Sequence, residues 1–194
     1  MTGRGWSLIV GCLLVGSCAA PPLTLYTLGT PHTLGTPPIA SGTRPLGRHP
    51  VVISVGRVTI PDELDTEDIL VRDGSTLQRS QRGRWASRLS LGITDRLTER
   101  LAARFPRALV TDRPLTETPS ARILINISRL DVSAGGVATL DADWMVVPRD
   151  AAVPARRERG HFSATGPVKT DQDVVTLMGS VLDQLAGAIE VDRR

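Results

Sequence analysis

Apolar residues change their spacing several times along this chain, and each change marks an element. Trp6 to Val15 is a short, nearly unbroken apolar run. From residue 19 to about 50 the pattern is lost, and Pro21, Pro22, Pro31, Pro37, Pro38, Pro45 and Pro50 exclude a long helix there. Val51 to Val58 is β-branched and partly alternating, which predicts a strand closed by Pro61. Ile69 to Arg72 predicts a second strand, ended by the turn pair Asp73-Gly74. Trp85, Leu89, Ile93, Leu97 and Leu101 then recur every four residues, with Ala86 beside them, and predict an amphipathic helix stopped by Pro106.

Beyond the helix the period returns to two. Ala108 to Thr111 predicts a short strand, and Ile123, Ile125 and Ile127 alternate with polar neighbours as in a half-buried strand. Gly135-Gly136 predicts a tight turn into a long strand, Val137 to Val147, that carries Trp144. Arg156 to Ser163 predicts its next neighbour. Thr170-Asp171-Gln172-Asp173 resembles a capping box, with Asp in place of the usual Glu. The helix behind it carries Val174, Leu177, Met178, Val181, Leu182, Leu185 and Ile189 on one face. The expected class is α+β: a mainly antiparallel sheet with two amphipathic helices packed on one face.

The first apolar run is about ten residues long, against the roughly 20 needed to span a bilayer. Arg4 precedes it, and Leu14-Val15-Gly16-Ser17-Cys18 follows. Small residues before the cut and a cysteine after it form a lipobox, so 1–17 reads as a lipoprotein signal peptide. Cys18 reads as the residue that receives diacylglycerol and an N-acyl chain. Ile9-Val10-Gly11-Cys12 has the same spelling, but a cut there shortens the apolar core and leaves Leu13-Leu14-Val15 behind it. Cys18 is therefore the expected lipidation site. Acyl chains bind a membrane by about 0.8 kcal/mol per buried CH₂. Residues 18–50 read as a lipidated Pro/Gly/Thr-rich tether, within which Leu23 to Leu28 is expected to form a short docking strand. In polyproline-like form, some thirty residues reach roughly 90 Å. The folded body is then 51–194.

Composition narrows the chemistry. Of 194 residues, 41% are hydrophobic, which is enough for a core, while 3% aromatics make a poor stacking platform for nucleic acid. The net charge of +3 is spread over interleaved Arg, Asp and Glu, so no basic block points to a nucleic-acid partner. Both cysteines lie in the first eighteen residues, so the body has neither a disulfide nor a thiolate metal site. No P-loop, dinucleotide loop, HExxH or GxSxG motif is spelled out. His161 is the one histidine of the body and sits in a predicted strand, an unpromising general base. The acidic run Asp62, Glu63, Asp65, Glu67 and Asp68 lacks EF-hand spacing and reads as a solvated loop. The expectation is a chain without catalytic residues, metal or cofactor other than its lipid.

Ile60-Pro61-Asp62-Glu63-Leu64-Asp65, Ile69-Leu70-Val71-Arg72 and Arg84-Trp85-Ala86-Ser87-Arg88-Leu89 occur in that order, after a lipobox and Tyr26-Thr27-Leu28. The chain thereby resembles the ABC-type transport auxiliary lipoprotein family, PqiC type. It departs from the family at Glu63, where an aromatic is more usual, and in the long Pro/Thr insertion after Tyr26-Thr27-Leu28. The resemblance implies an accessory subunit of an MCE-type lipid transport system, with an MCE-domain protein and an ABC permease and ATPase as partners. It implies a lipid anchor at the periplasmic face of the outer membrane, a location that Ala19 after the cysteine also favours, and self-association into a ring. By the same resemblance Tyr26, Leu64, Arg84 and Trp85 are the candidate partner contacts. A lipid-binding or lipid-shuttling lipoprotein is the alternative reading.

Overall fold

The computed structural model describes residues 22–29 and 51–191. Its elements are β1 (Thr24–Tyr26), β2 (Val51–Val55), β3 (Asp68–Asp73), β4 (Thr76–Trp85), α1 (Leu89–Arg104), β5 (Ala108–Thr111), β6 (Ala121–Val132), β7 (Val137–Pro148), β8 (Arg156–Thr165) and α2 (Asp171–Ala188). The expected signal peptide, Cys12, Cys18 and most of the expected tether lie outside the described residues.

The longest strands follow the apolar alternation. Ala121, Ile123, Ile125 and Ile127 of β6 are buried, and a register shift between Ile127 and Arg129 moves the buried set to Leu130 and Val132. An extra residue in one strand has that effect, because side chains alternate with a period of two. The β7 residues opposite, Ala138, Leu140, Ala142, Trp144 and Val146, complete the inner face. The turn between β6 and β7 depends on Gly136, whose φ is 81° and which packs against the Gly166 carbonyl closely enough to exclude a Cβ.

The class is α+β as expected, but the sheets are mixed rather than mainly antiparallel. The five-stranded sheet runs β5-β2-β6-β7-β8, with β2 parallel to both β5 and β6. A second sheet runs β1-β4-β3, with β1 parallel to β4. The parallel pairs follow from connectivity. The route from β2 to β5 passes through the β3–β4 hairpin and α1, a crossover long enough to bring the chain back in its original direction.

A second correction concerns Trp85. The expected helix begins there, whereas Trp85 closes β4 and α1 starts four residues later, at Leu89. The stripe Leu89, Ile93, Leu97 and Leu101 is buried as a helix face, and Phe105 caps its end by donating to the Leu101 carbonyl. Strand β4 has no apolar alternation to announce it, since most of Thr76–Arg82 is exposed. The α2 capping box is present: the Thr170 hydroxyl accepts from the Asp173 amide, and the Asp173 carboxylate accepts from the Thr170 amide. Helix α2 contacts β7, β8 and α1, and α1 also contacts β5. One cluster of buried residues joins both sheets and both helices.

Candidate functional site

The four residues singled out from sequence converge on one corner, where β1 lies on β4. Tyr26 is paired with Trp85, and Leu25 with Arg84. The Ala86 amide donates to the Tyr26 carbonyl, and the Trp85 amide to the Glu67 carbonyl. Leu64 lines the same small void as Trp85, Leu89 and Met178. Their exposures differ. Leu64 and Trp85 are buried, at 6% and 3%, while Tyr26 is half-buried. Arg84 is tied down: its guanidinium meets Asp68 at 2.9 Å and donates to the carbonyls of Ser80 and Gly83 at 2.7 Å each. Trp85 thus joins the N-terminal segment to the core, Leu64 packs beside it, and Tyr26 is the member with surface to offer.

A cleft of about 370 Å³ opens beside this corner, between the N-terminal segment and α1. Tyr26, Leu28, Trp85 and Leu89 form its apolar side, while Asp95, Thr98, Glu99, Asp112 and Arg113 form its polar side. Burial raises the Asp95 carboxyl above its ordinary value, and the neighbouring Asp112 raises it further through charge and a shared hydrogen bond. Among the described residues no group of three or more His, Cys, Asp and Glu could hold a metal ion.

Four residues that organise the corner, Arg96, Arg100, Asp183 and Asp65, carry no mark of that role in the sequence pattern. Arg96 of α1 binds Asp183 of α2 with both arms, at 2.9 Å each, and donates to the Leu28 carbonyl at 2.8 Å. Arg100 joins the same carboxylate at 2.8 Å. One guanidinium therefore ties two helices and the N-terminal segment together. Asp65 caps α1 from a distance. The N-cap residue Arg88 makes no side-chain cap, and the Asp65 carboxylate accepts from the Ser90 amide at 3.0 Å instead. Burial opposes ionisation of Asp65, but the Ser90 hydrogen bonds together with Arg88 and Arg57 outweigh it and hold the carboxyl below its ordinary value. Asp65 is thus a built part of the structure, not the solvated acid expected from the acidic run. Only knowledge of the tertiary contacts distinguishes it from Asp62 or Glu63.

His161 is exposed on the edge strand β8 and pairs with Asp141 across the sheet at 2.6 Å. Trp144 is buried at 5%, with its ring centroid 6.3 Å from that of Phe162, so it is a core residue.

A family model described as the ABC-type transport auxiliary lipoprotein component matches residues 32–190. Two solved structures resemble the fold. One is the crystal structure of an uncharacterized protein, 14% identical, with a TM-score of 0.62 over 70% of this chain and 87% of that one. The other is a Xanthomonas campestris protein of the DUF330 family, 13% identical, with a TM-score of 0.54 over 71% of this chain and 79% of that one. At such identities they speak for the fold alone. No curated protein matches the chain in sequence.

Proposed function

Since this chain belongs to the family of ABC-type transport auxiliary lipoproteins, we propose that it is the accessory subunit of an MCE-type ABC lipid transport system, held at the periplasmic face of the outer membrane by an acylated Cys18. The observation that carries the reading is the family match over 32–190, which takes in nearly all of the folded body. Membership places the chain in the cell envelope as a transport component. The subunit's task in this reading is adhesion: its lipid holds a membrane while its body docks the MCE-domain protein. The chemistry stays with the separate permease and ATPase. Tyr26 and the adjoining cleft supply the partner contact, because Leu64 and Trp85 are themselves buried.

The test is affinity capture of the full chain from detergent-solubilised envelope, with the co-captured proteins identified by mass spectrometry. Recovery of an MCE-domain protein with its permease is the expected result. Recovery of stoichiometric phospholipid without any transporter subunit would favour the lipid-shuttling alternative and remove the docking role.

A further inference from the structure

Among the described residues the most exposed large apolar side chains are Leu25, at 61%, and Leu23, at 56%. Leu25 lies in the N-terminal strand and Leu23 immediately precedes it. Thr24 is exposed with them, whereas Tyr26 is half-buried and Leu28 is buried against the body. A strand at a sheet edge ordinarily shows the opposite preference, with polar side chains outward.

The chain length before this strand decides what those leucines can meet. Leu23 lies five residues after Cys18. A fully extended chain spans at most about 3.6 Å per residue, so Leu23 stays within roughly 18 Å of an acylated sulfur. The roughly 90 Å reach of an uninterrupted thirty-residue tether is not available, because the chain is fastened to the body before that stretch is spent. The fastening is threefold: the β1–β4 ladder, the burial of Leu28 at 3%, and the bond from Arg96 to the Leu28 carbonyl. Residues 30–50 follow this fastening in the chain, so their length does not set the height of the body. Arg82 is exposed immediately before the first paired positions, Thr24 and Gly83. A basic side chain beside exposed leucines suits an anionic lipid surface.

We propose that the β1 edge, through Leu23 and Leu25, is the surface on which the folded body rests against the lipid bilayer. The proposal rests on the acylation of Cys18 argued above. It makes the body a membrane-seated platform with a fixed face towards the lipid, instead of a domain on a long leash.

The test uses the full acylated chain in vesicles of phosphatidylethanolamine and phosphatidylglycerol. An environment-sensitive fluorophore is placed at Leu25→Cys or, as control, at Val153→Cys, another exposed position. Doxyl-labelled lipid should quench the label at position 25 severalfold more than the label at 153. Equal, weak quenching on a chain that still floats with the vesicles would overturn the lipid contact while leaving the anchor intact. Protection at position 25 that grows only with protein density on the vesicle would assign the edge to a second copy and overturn it as well. A chain that carries no acyl group and does not float would remove both the anchor and the contact built on it.

Discussion

The two sheets are held together by different physics. In the β6–β7–β8 meander, neighbours in sequence are neighbours in space, and one face is a continuous apolar layer from Ile123 to Val146. In the β1–β4–β3 sheet, β3 and β4 form a hairpin but β1 comes from a distant part of the chain, and specific polar contacts fix them in place. These are Arg84 on Asp68, the Ser80 hydroxyl on Asp171, and Arg96 on the Leu28 carbonyl. Apolar burial is non-directional and strong in sum, whereas such polar contacts are individually modest and depend on geometry. The first sheet is accordingly the stable frame, and the second is the adjustable corner that fixes where the N-terminal segment sits.

That contrast can be tested by substitution. Ile123→Ala removes a fully buried side chain from the frame. It should cost about 3 kcal/mol of global stability, read by denaturant unfolding. A cost below about 1 kcal/mol would mean that the frame is looser than its packing implies. Gly83→Ala strikes the join between the small sheet and α2, since a Cβ there would collide with the Asp171 carboxylate. Its expected cost is about 2 kcal/mol, with loss of amide protection concentrated at β1 and β4. Arg96→Met keeps much of the stem and deletes the bonds to Asp183 and Leu28. About 1 kcal/mol of stability should go, with faster hydrogen exchange confined to residues 22–29. Uniformly faster exchange across β6 and β7 would erase the proposed division.

Acid makes a finer cut. The Asp65 carboxyl is held below its ordinary value, so its contribution to stability is fully present above that ordinary value and is lost as pH falls through the lower, folded value. Asp65→Asn should flatten this acid limb and cost about 1 kcal/mol at neutral pH, as expected for a lost helix cap. An unchanged acid limb in thermal unfolding would contradict the capping role. The smallest effect is expected from Asp95→Asn. The Asp95 carboxyl is raised, so its ionisation opposes folding at neutral pH, and removing the charge should raise the melting temperature slightly. A lowered melting temperature would show that Asp95 is compensated in the folded state.

The same contrast explains what could be read in advance. Ile123, Ile125 and Ile127, the Leu89–Leu101 stripe and the Thr170–Asp173 box each leave a local mark, because burial and capping act over a few residues. Strand β4 leaves none: Thr-Leu-Gln-Arg-Ser-Gln-Arg is mostly exposed, with Leu77 and Ser80 half-buried, and its place is set by the hairpin with β3 and by the distant β1 and Asp171. Reading Trp85 as a helix residue has the same origin. Its four-residue spacing to Leu89 is genuine, but both side chains reach one core from different elements. The parallel pairings of β1 and β2 depend on crossovers that no local pattern encodes. At the corner, Tyr26, Arg84 and Trp85 stand out in the sequence only through motif order, which does not say that they meet, and Asp65, Arg96 and Asp183 are ordinary charged residues until folding brings them together.

A covalent lipid at one residue underlies both the anchor and the membrane contact, and intact mass spectrometry of the chain from isolated envelope reads it directly. The predicted species begins at Cys18 and carries the added mass of a diacylglycerol and an N-acyl group. A chain with an unmodified Cys18, recovered from the soluble fraction, would contradict it.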